Sequence, residues 1–141
     1  MERLSLSLES YLENIAELQE QLGAVNTSAL AEKMGCKRSS VTSALCKLSE
    51  NGLINYQSYR PVTLTEKGKA VIASLDRYHQ ILENFLHNVL ALDKDFAQTE
   101  ACRLEHQISP ETIERIAQYT AFLQDPEAFK KFLKKNEANS F

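Results

Sequence analysis

The chain has 141 residues, a formal net charge of −3, a hydrophobic fraction of 43% and a charged fraction of 25%. That globular balance can bury the core of one domain or of two small joined ones. No apolar run approaches the ~20 residues of a membrane-spanning helix, and the opening residues MERLSLSLES lack a signal-peptide core. Cys36, Cys46 and Cys102 are too few and too scattered for a disulfide framework. These features argue against export and membrane residence and favour a reducing cytoplasm.

In chain order, residues 7–22 place Leu8, Tyr11, Leu12, Ile15, Leu18 and Leu22 at steps of three and four, which predicts an amphipathic helix ended by Gly23. A short helix over Thr27–Met34 follows, with Thr27 or Ser28 as its N-cap and Gly35 as its break. A third helix runs from about Arg38 to Glu50 and closes at Asn51-Gly52. Two strand-like runs, Leu53–Gln57 and Pro61–Leu64, flank a hairpin tip of Ser58, Tyr59 and Arg60. Thr65 then caps a long helix to about Leu90, with Val71, Leu75, Tyr78, Leu82, Phe85, Leu86 and Val89 on its apolar stripe. Helices are predicted next over about Asp95–His106 and Pro110–Gln124. Asp125-Pro126 opens a final short one carrying Phe129, Phe132 and Leu133.

Three helices and a hairpin make a winged helix-turn-helix. Ala31 suits a close helix crossing, Gly35 the tight turn, and Val41 the packing of the second helix on the first. The fold class expected is mainly α, with a winged helix-turn-helix DNA-binding domain over 1–73 and a helical dimerisation and metal-binding domain over 74–141. Ile108, Ile113, Ile116, Phe122 and Leu123 give the later helices apolar faces that one thin subunit could not easily bury alone, so a homodimer is expected.

The net charge hides an asymmetry. From Lys33 to Lys69, seven basic residues stand against Glu50 and Glu66, giving +5, so the rest of the chain carries −8. Such a concentration suits a polyanionic partner. The third helix presents Lys37, Arg38, Ser39, Ser40, Thr42, Ser43 and Lys47, short hydroxyls flanked by cations that fit a DNA major groove. Arg60, beside Tyr56 and Tyr59, could reach the backbone or the minor groove. A winged helix used only for protein contact is the alternative reading.

A second group lies further on. Cys102, Glu105 and His106 fall three and four residues apart, which on one helix would converge a thiolate, a carboxylate and an imidazole. That donor set suits Fe(II), Co(II), Ni(II) or Zn(II) rather than Mg(II) or Ca(II). His79 and Glu83 are one turn apart on the preceding helix, as are Glu9 and Glu13 on the first. Cys36 and Cys46 read as packing residues, the latter on the inner side of the third helix, and His87 has no evident role. No phosphate loop, nucleophile elbow or paired-acid motif points to an enzyme.

The segment Glu100-Ala101-Cys102-Arg103-Leu104-Glu105-His106 and the wing segment from Tyr59 to Gly68 resemble the diphtheria-toxin-repressor family of metal-dependent transcriptional regulators, as does the pattern from Glu9 to Ile15. The resemblance implies that Cys102, Glu105 and His106 match the regulatory-site ligands of the iron-responsive branch. His79 and Glu83 match ancillary ligands of that branch, with Gln98 where a histidine is usual. Glu13 and His79 match ligands of the manganese-responsive branch. Ser10 stands where those branches carry methionine or aspartate, so Ser10, Glu13 or Glu9 would have to fill that place. Iron-responsive members often continue into a small β-barrel, whereas a length of 141 residues is closer to the manganese branch. The thiolate of Cys102 favours Fe(II), with Mn(II) or Zn(II) as alternatives. A cytoplasmic homodimeric repressor of metal-homeostasis genes on a palindromic operator is the function implied. A metal-independent regulator sensing an organic ligand or thiol oxidation is the rival.

Overall fold

A computed structural model describes residues 4–138 of the chain. Two compact units divide between Ser74 and Leu75. The first contains α1 (Leu6–Leu22), α2 (Thr27–Met34), α3 (Arg38–Glu50) and an antiparallel pair, β1 (Ile54–Asn55) and β2 (Thr63–Leu64). Gly23, at φ 78°, closes α1. The cap of α2 falls one residue earlier than the sequence suggests: Asn26, not Thr27 or Ser28, is extended and accepts the Ala29 amide at 2.7 Å. An Asn side chain in that place satisfies one of the orphan donors of the first turn, and Thr27 is already helical. Gly35 takes the left-handed conformation (φ 62°), and its N–H returns to the carbonyls of Ala31 and Glu32.

Leu12, Ile15, Leu30, Val41, Leu45 and Leu48 are wholly buried where the three helices meet, each contributing about 1.5–3 kcal/mol of apolar burial. Ala31 is buried at the helix crossing. Cys36, in the turn, is half-buried with its thiol 3.5 Å from the Tyr11 hydroxyl. That hydrogen bond, with burial, raises the Tyr11 pKa.

The hairpin is shorter than the sequence predicts. Only Ile54 pairs with Leu64 and Asn55 with Thr63, and Val62 donates separately to the Val25 carbonyl at 2.7 Å. Pro61 has no N–H for a ladder and Tyr59 is left-handed (φ 65°), so residues 56–61 form a wing loop. Thr65 opens α4 (Glu66–Asn84), its hydroxyl accepting the Gly68 amide at 3.1 Å and donating to the Gly52 carbonyl at 2.6 Å. Val71 and Ile72, on the first turns of α4, pack on the same core.

The second unit continues α4 into a π-helical turn (Phe85–Val89), followed by α5 (Lys94–Leu104), α6 (Pro110–Phe122) and α7 (Ala128–Ala138). The α-helix expected up to Leu90 thus widens from Phe85 onward, and His87 Nδ1 bonds the Leu92 carbonyl at 2.8 Å across the following connection. Asp93 and Ser109 cap α5 and α6, with Pro110 at the start of α6. Leu82, Ala101 and Ile113 form the core, packed round by Tyr78, Ile81, Leu86, Leu104, Ile108 and Ile116. Arg77 grips Glu114 with two N–H groups, fastening α4 to α6. The guanidinium holds the Glu114 carboxyl below its usual range. Phe122, on the apolar face that one subunit is not expected to bury alone, is 76% exposed. With Phe96, Tyr119, Phe129 and Phe132 it belongs to the apolar surface that a single chain leaves uncovered. Among the described residues no helix is long and apolar enough to cross a membrane.

A Cβ on Gly68 would collide with the backbone oxygen of Leu53. Gly68→Ala should therefore cost about 1–3 kcal/mol by pushing the start of α4 off the hairpin. Urea unfolding should show it as a lower midpoint at unchanged slope.

Candidate metal centre and DNA-reading face

Ser39, Thr42, Ser43 and Cys46 recur along α3 at steps of three and four, and all are exposed. Val41, Ala44, Leu45 and Leu48 are buried on the opposite face. Cys46 therefore belongs to the outward face and not to the inner side, where the sequence reading puts it. The signal is present in the spacing, since Cys46 lies one turn beyond Thr42 and Ser43. Lys37 precedes α3 as an extended N-cap without a side-chain cap bond, and Arg38 is the first helical residue. Ser40, Lys47 and, on the wing, Arg60 are exposed as well. Among the described residues, Lys37, Arg38, Lys47 and Arg60 form no salt bridge, whereas Lys33 and Lys69 pair with Glu17 and Glu66. Of the basic window, the cations of α3 and the wing thus have no acidic partner, and neither has Lys67 at the start of α4, whose Nζ donates to the Asn51 carbonyl. Between α3 and the wing lies a cleft of about 450 Å³, lined by Thr27, Ser28, Arg38, Thr42, Tyr59 and Arg60 among others.

In the second unit, α4 supplies His79 and Glu83 and the end of α5 supplies Cys102. Glu105 and His106, expected on the same helix, instead occupy the turn that closes it, because α5 ends at Leu104. That turn brings the two sequence clusters together. His79 is the junction: its Nδ1 lies 2.9 Å from Glu105 Oε2 and 3.7 Å from Cys102 Sγ, and its Nε2 lies 3.0 Å from Glu83 Oε2. His106 Nε2 stands 3.3 Å from the other oxygen, Glu105 Oε1. Glu105 is only 5% exposed, whereas Cys102 is exposed. A neutral imidazole has one N–H, so His79 can donate to only one of its two carboxylates unless it is protonated. Two carboxylates, two imidazoles and a thiol are a donor set that suits a first-row divalent cation with nitrogen and sulfur affinity. The donor set fits such an ion.

The remaining candidates are placed as follows. Gln98 is exposed on α5, one turn before Cys102. On α1, in the first unit, Ser10 and Glu13 are half-buried and Glu9 is buried. The proximity of His79 to Glu105, 26 residues away, has no counterpart in local spacing.

The chain matches the family model for the iron-dependent repressor N-terminal DNA-binding domain over residues 3–62. It matches the model for the iron-dependent repressor metal-binding and dimerisation domain over residues 65–129. The chain belongs to the iron-dependent repressor family. It is 39% identical over 114 residues to an HTH-type transcriptional regulator of Methanocaldococcus jannaschii, covering 80% of this chain and 91% of that one. It is 34% identical over 128 residues to the HTH-type transcriptional regulator MntR of Bacillus subtilis, covering 91% and 89%. Among solved structures it is similar to a manganese-dependent transcriptional repressor in complex with manganese, with 35% identity and a TM-score of 0.66, covering 85% of this chain and 56% of that one. The protein is a metal-dependent transcriptional repressor of this family, with an N-terminal winged helix-turn-helix that binds DNA and a helical dimerisation and metal-binding domain.

If Cys102 is a ligand, Co(II) added to the protein should give a sulfur-to-metal charge-transfer absorption that Cys102→Ser abolishes. Glu105→Gln, which removes the charge shared by His79 and His106, should weaken Co(II) binding at least about tenfold. Direct titration of Co(II) checks both.

Proposed function

We propose that this repressor is activated by Fe(II), held by Cys102, Glu105 and His106 with His79 and Glu83, and that as a homodimer in the cytoplasm it binds a palindromic operator controlling metal-homeostasis genes. The observation that carries the choice of ion is the exposed thiol of Cys102, 3.7 Å from His79 in a cluster otherwise of nitrogen and oxygen donors. Thiolate favours Fe(II) over the harder Mn(II). The ion would supply positive charge among the carboxylates gathered around His79.

Glu13 is proposed, on its sequence position alone, as the residue through which the DNA-binding domain (1–73) responds to an ion held by the domain spanning 74–141. Lys37, Arg38, Lys47 and Arg60 are proposed to hold phosphates, with Ser39, Ser40, Thr42 and Ser43 facing base edges. A dimer reading a palindrome needs its two recognition helices about 34 Å apart, one helical turn of DNA.

Mn(II) is the second reading, supported by the 35% identity to a manganese-dependent repressor. An anaerobic titration on the promoter DNA of its own gene separates them, with Fe(II), Mn(II), Zn(II) and chelator in parallel. Fe(II) is expected to tighten binding about tenfold or more over chelator, ~1.4 kcal/mol of coupling. Glu13→Ala is expected to lose that gain while retaining the chelator-level affinity. A larger gain with Mn(II) would establish the second reading. Equal affinity in all four conditions would remove the sensor and leave a metal-independent DNA-binding protein.

A further inference from the structure

We propose that Tyr59, at the tip of the wing, is a wedge that enters the DNA minor groove beside the major groove read by α3. The inference rests on the proposed DNA-reading role of α3 and the wing, and adds to it a contact that the cationic and hydroxyl residues do not supply. Two observations single out this side chain. Tyr59 is fully exposed, its relative accessibility of 106% the highest of the large apolar residues that the fold leaves in solvent. It also holds a left-handed backbone (φ 65°), which a bulky residue adopts at a cost and which glycine would adopt freely. A solvent-exposed ring makes no packing contact to offset either cost, so folding gives no reason for tyrosine at this position.

The surroundings indicate what the ring meets. The cleft of about 450 Å³ separates the start of α3 from the wing and is lined on one side by Thr27, Ser28, Arg38 and Thr42 and on the other by Tyr59 and Arg60. With α3 in the major groove, the ridge running along its border is a sugar–phosphate backbone. A cleft with the guanidinium groups of Arg38 and Arg60 in its lining suits that ridge. A residue on the far side of the ridge then faces the adjacent minor groove. With Arg60 on the phosphates of the ridge, the neighbouring Tyr59 ring would press against minor-groove sugars or between base steps. An uncharged wedge releases no counterion, so its contribution is independent of salt, unlike that of Arg60.

The test uses a duplex selected by the metal-loaded wild-type protein from a random-sequence pool. Tyr59→Gly relieves the backbone conformation, so it should fold with a Tm unchanged or raised. It should nonetheless bind the duplex about tenfold or more weaker, with the salt dependence of wild type. Tyr59→Phe, which keeps the ring, should bind as wild type. Exchange of flanking A·T pairs for I·C, which present the minor groove of A·T and the major groove of G·C, should leave the wild-type to Tyr59→Gly ratio intact. Exchange for G·C should shrink it. Undiminished binding by Tyr59→Gly, or a ratio that falls equally on I·C and G·C, overturns the wedge and leaves DNA binding standing. Failure of the wild type to enrich any duplex would overturn both.

Discussion

Burial of the Glu105 carboxylate is the constraint on which the second unit turns. Isolated, a carboxylate that is 5% exposed would face a desolvation cost of several kcal/mol. Here each of its oxygens faces an imidazole, one from His79 on α4 and the other from the adjacent His106 in the same turn. The arrangement requires α5 to end at Leu104, so that Glu105 turns inward while Cys102 stays at the surface. It also requires α4 to be fixed against its neighbours, which the Leu82–Ala101–Ile113 core and the Arg77–Glu114 pair accomplish. Packing thus places acids and bases where a cation would be held, and the same packing limits how far those groups can relax without one.

The first unit follows a different logic. Its core is mostly aliphatic and fixes the angle between α2 and α3 through Ala31, Gly35 and Val41. The hydroxyls and cations from Arg38 to Lys47 are directed outward, and among the described residues these cations have no acidic partner, while Lys33 and Lys69 are neutralised. A surface kept charged in this way gains free energy from counterion release on a polyphosphate, which explains how a chain with a net charge of −3 can serve as a DNA-binding protein.

Much of this is legible in the sequence, and the reasons differ by element. Helices α1 to α3 are readable because apolar period and glycine stops agree, although the start of α2 at Asn26 and the uncapped start of α3 at Lys37 are not announced by cap chemistry. The winged helix-turn-helix follows from their order. The candidate ligand types are legible in Cys102, Glu105 and His106, but their division between helix and turn is not, because the end of α5 is set by tertiary packing of Leu104 and Ile108. The link from His79 to Glu105 is purely tertiary. Cys46 is misplaced when a cysteine is read as a packing residue, although its spacing from Thr42 puts it on the polar face. The strands come out too long because Pro61 and the left-handed Tyr59 convert a hairpin into a loop, a conformation that residue type alone does not announce.

On the proposed function, an ion at the Cys102–Glu105–His106 cluster and DNA at α3 and the wing are thermodynamically coupled. Linkage makes the coupling reciprocal: whatever factor the ion adds to DNA affinity, DNA must add to ion affinity. The most direct measurement is the Fe(II) affinity of the protein, taken anaerobically with and without a saturating duplex. The duplex is expected to tighten Fe(II) binding by the same factor, about tenfold or more, by which Fe(II) tightens DNA binding. An Fe(II) affinity unchanged by the duplex would contradict the coupling and leave two sites that do not communicate.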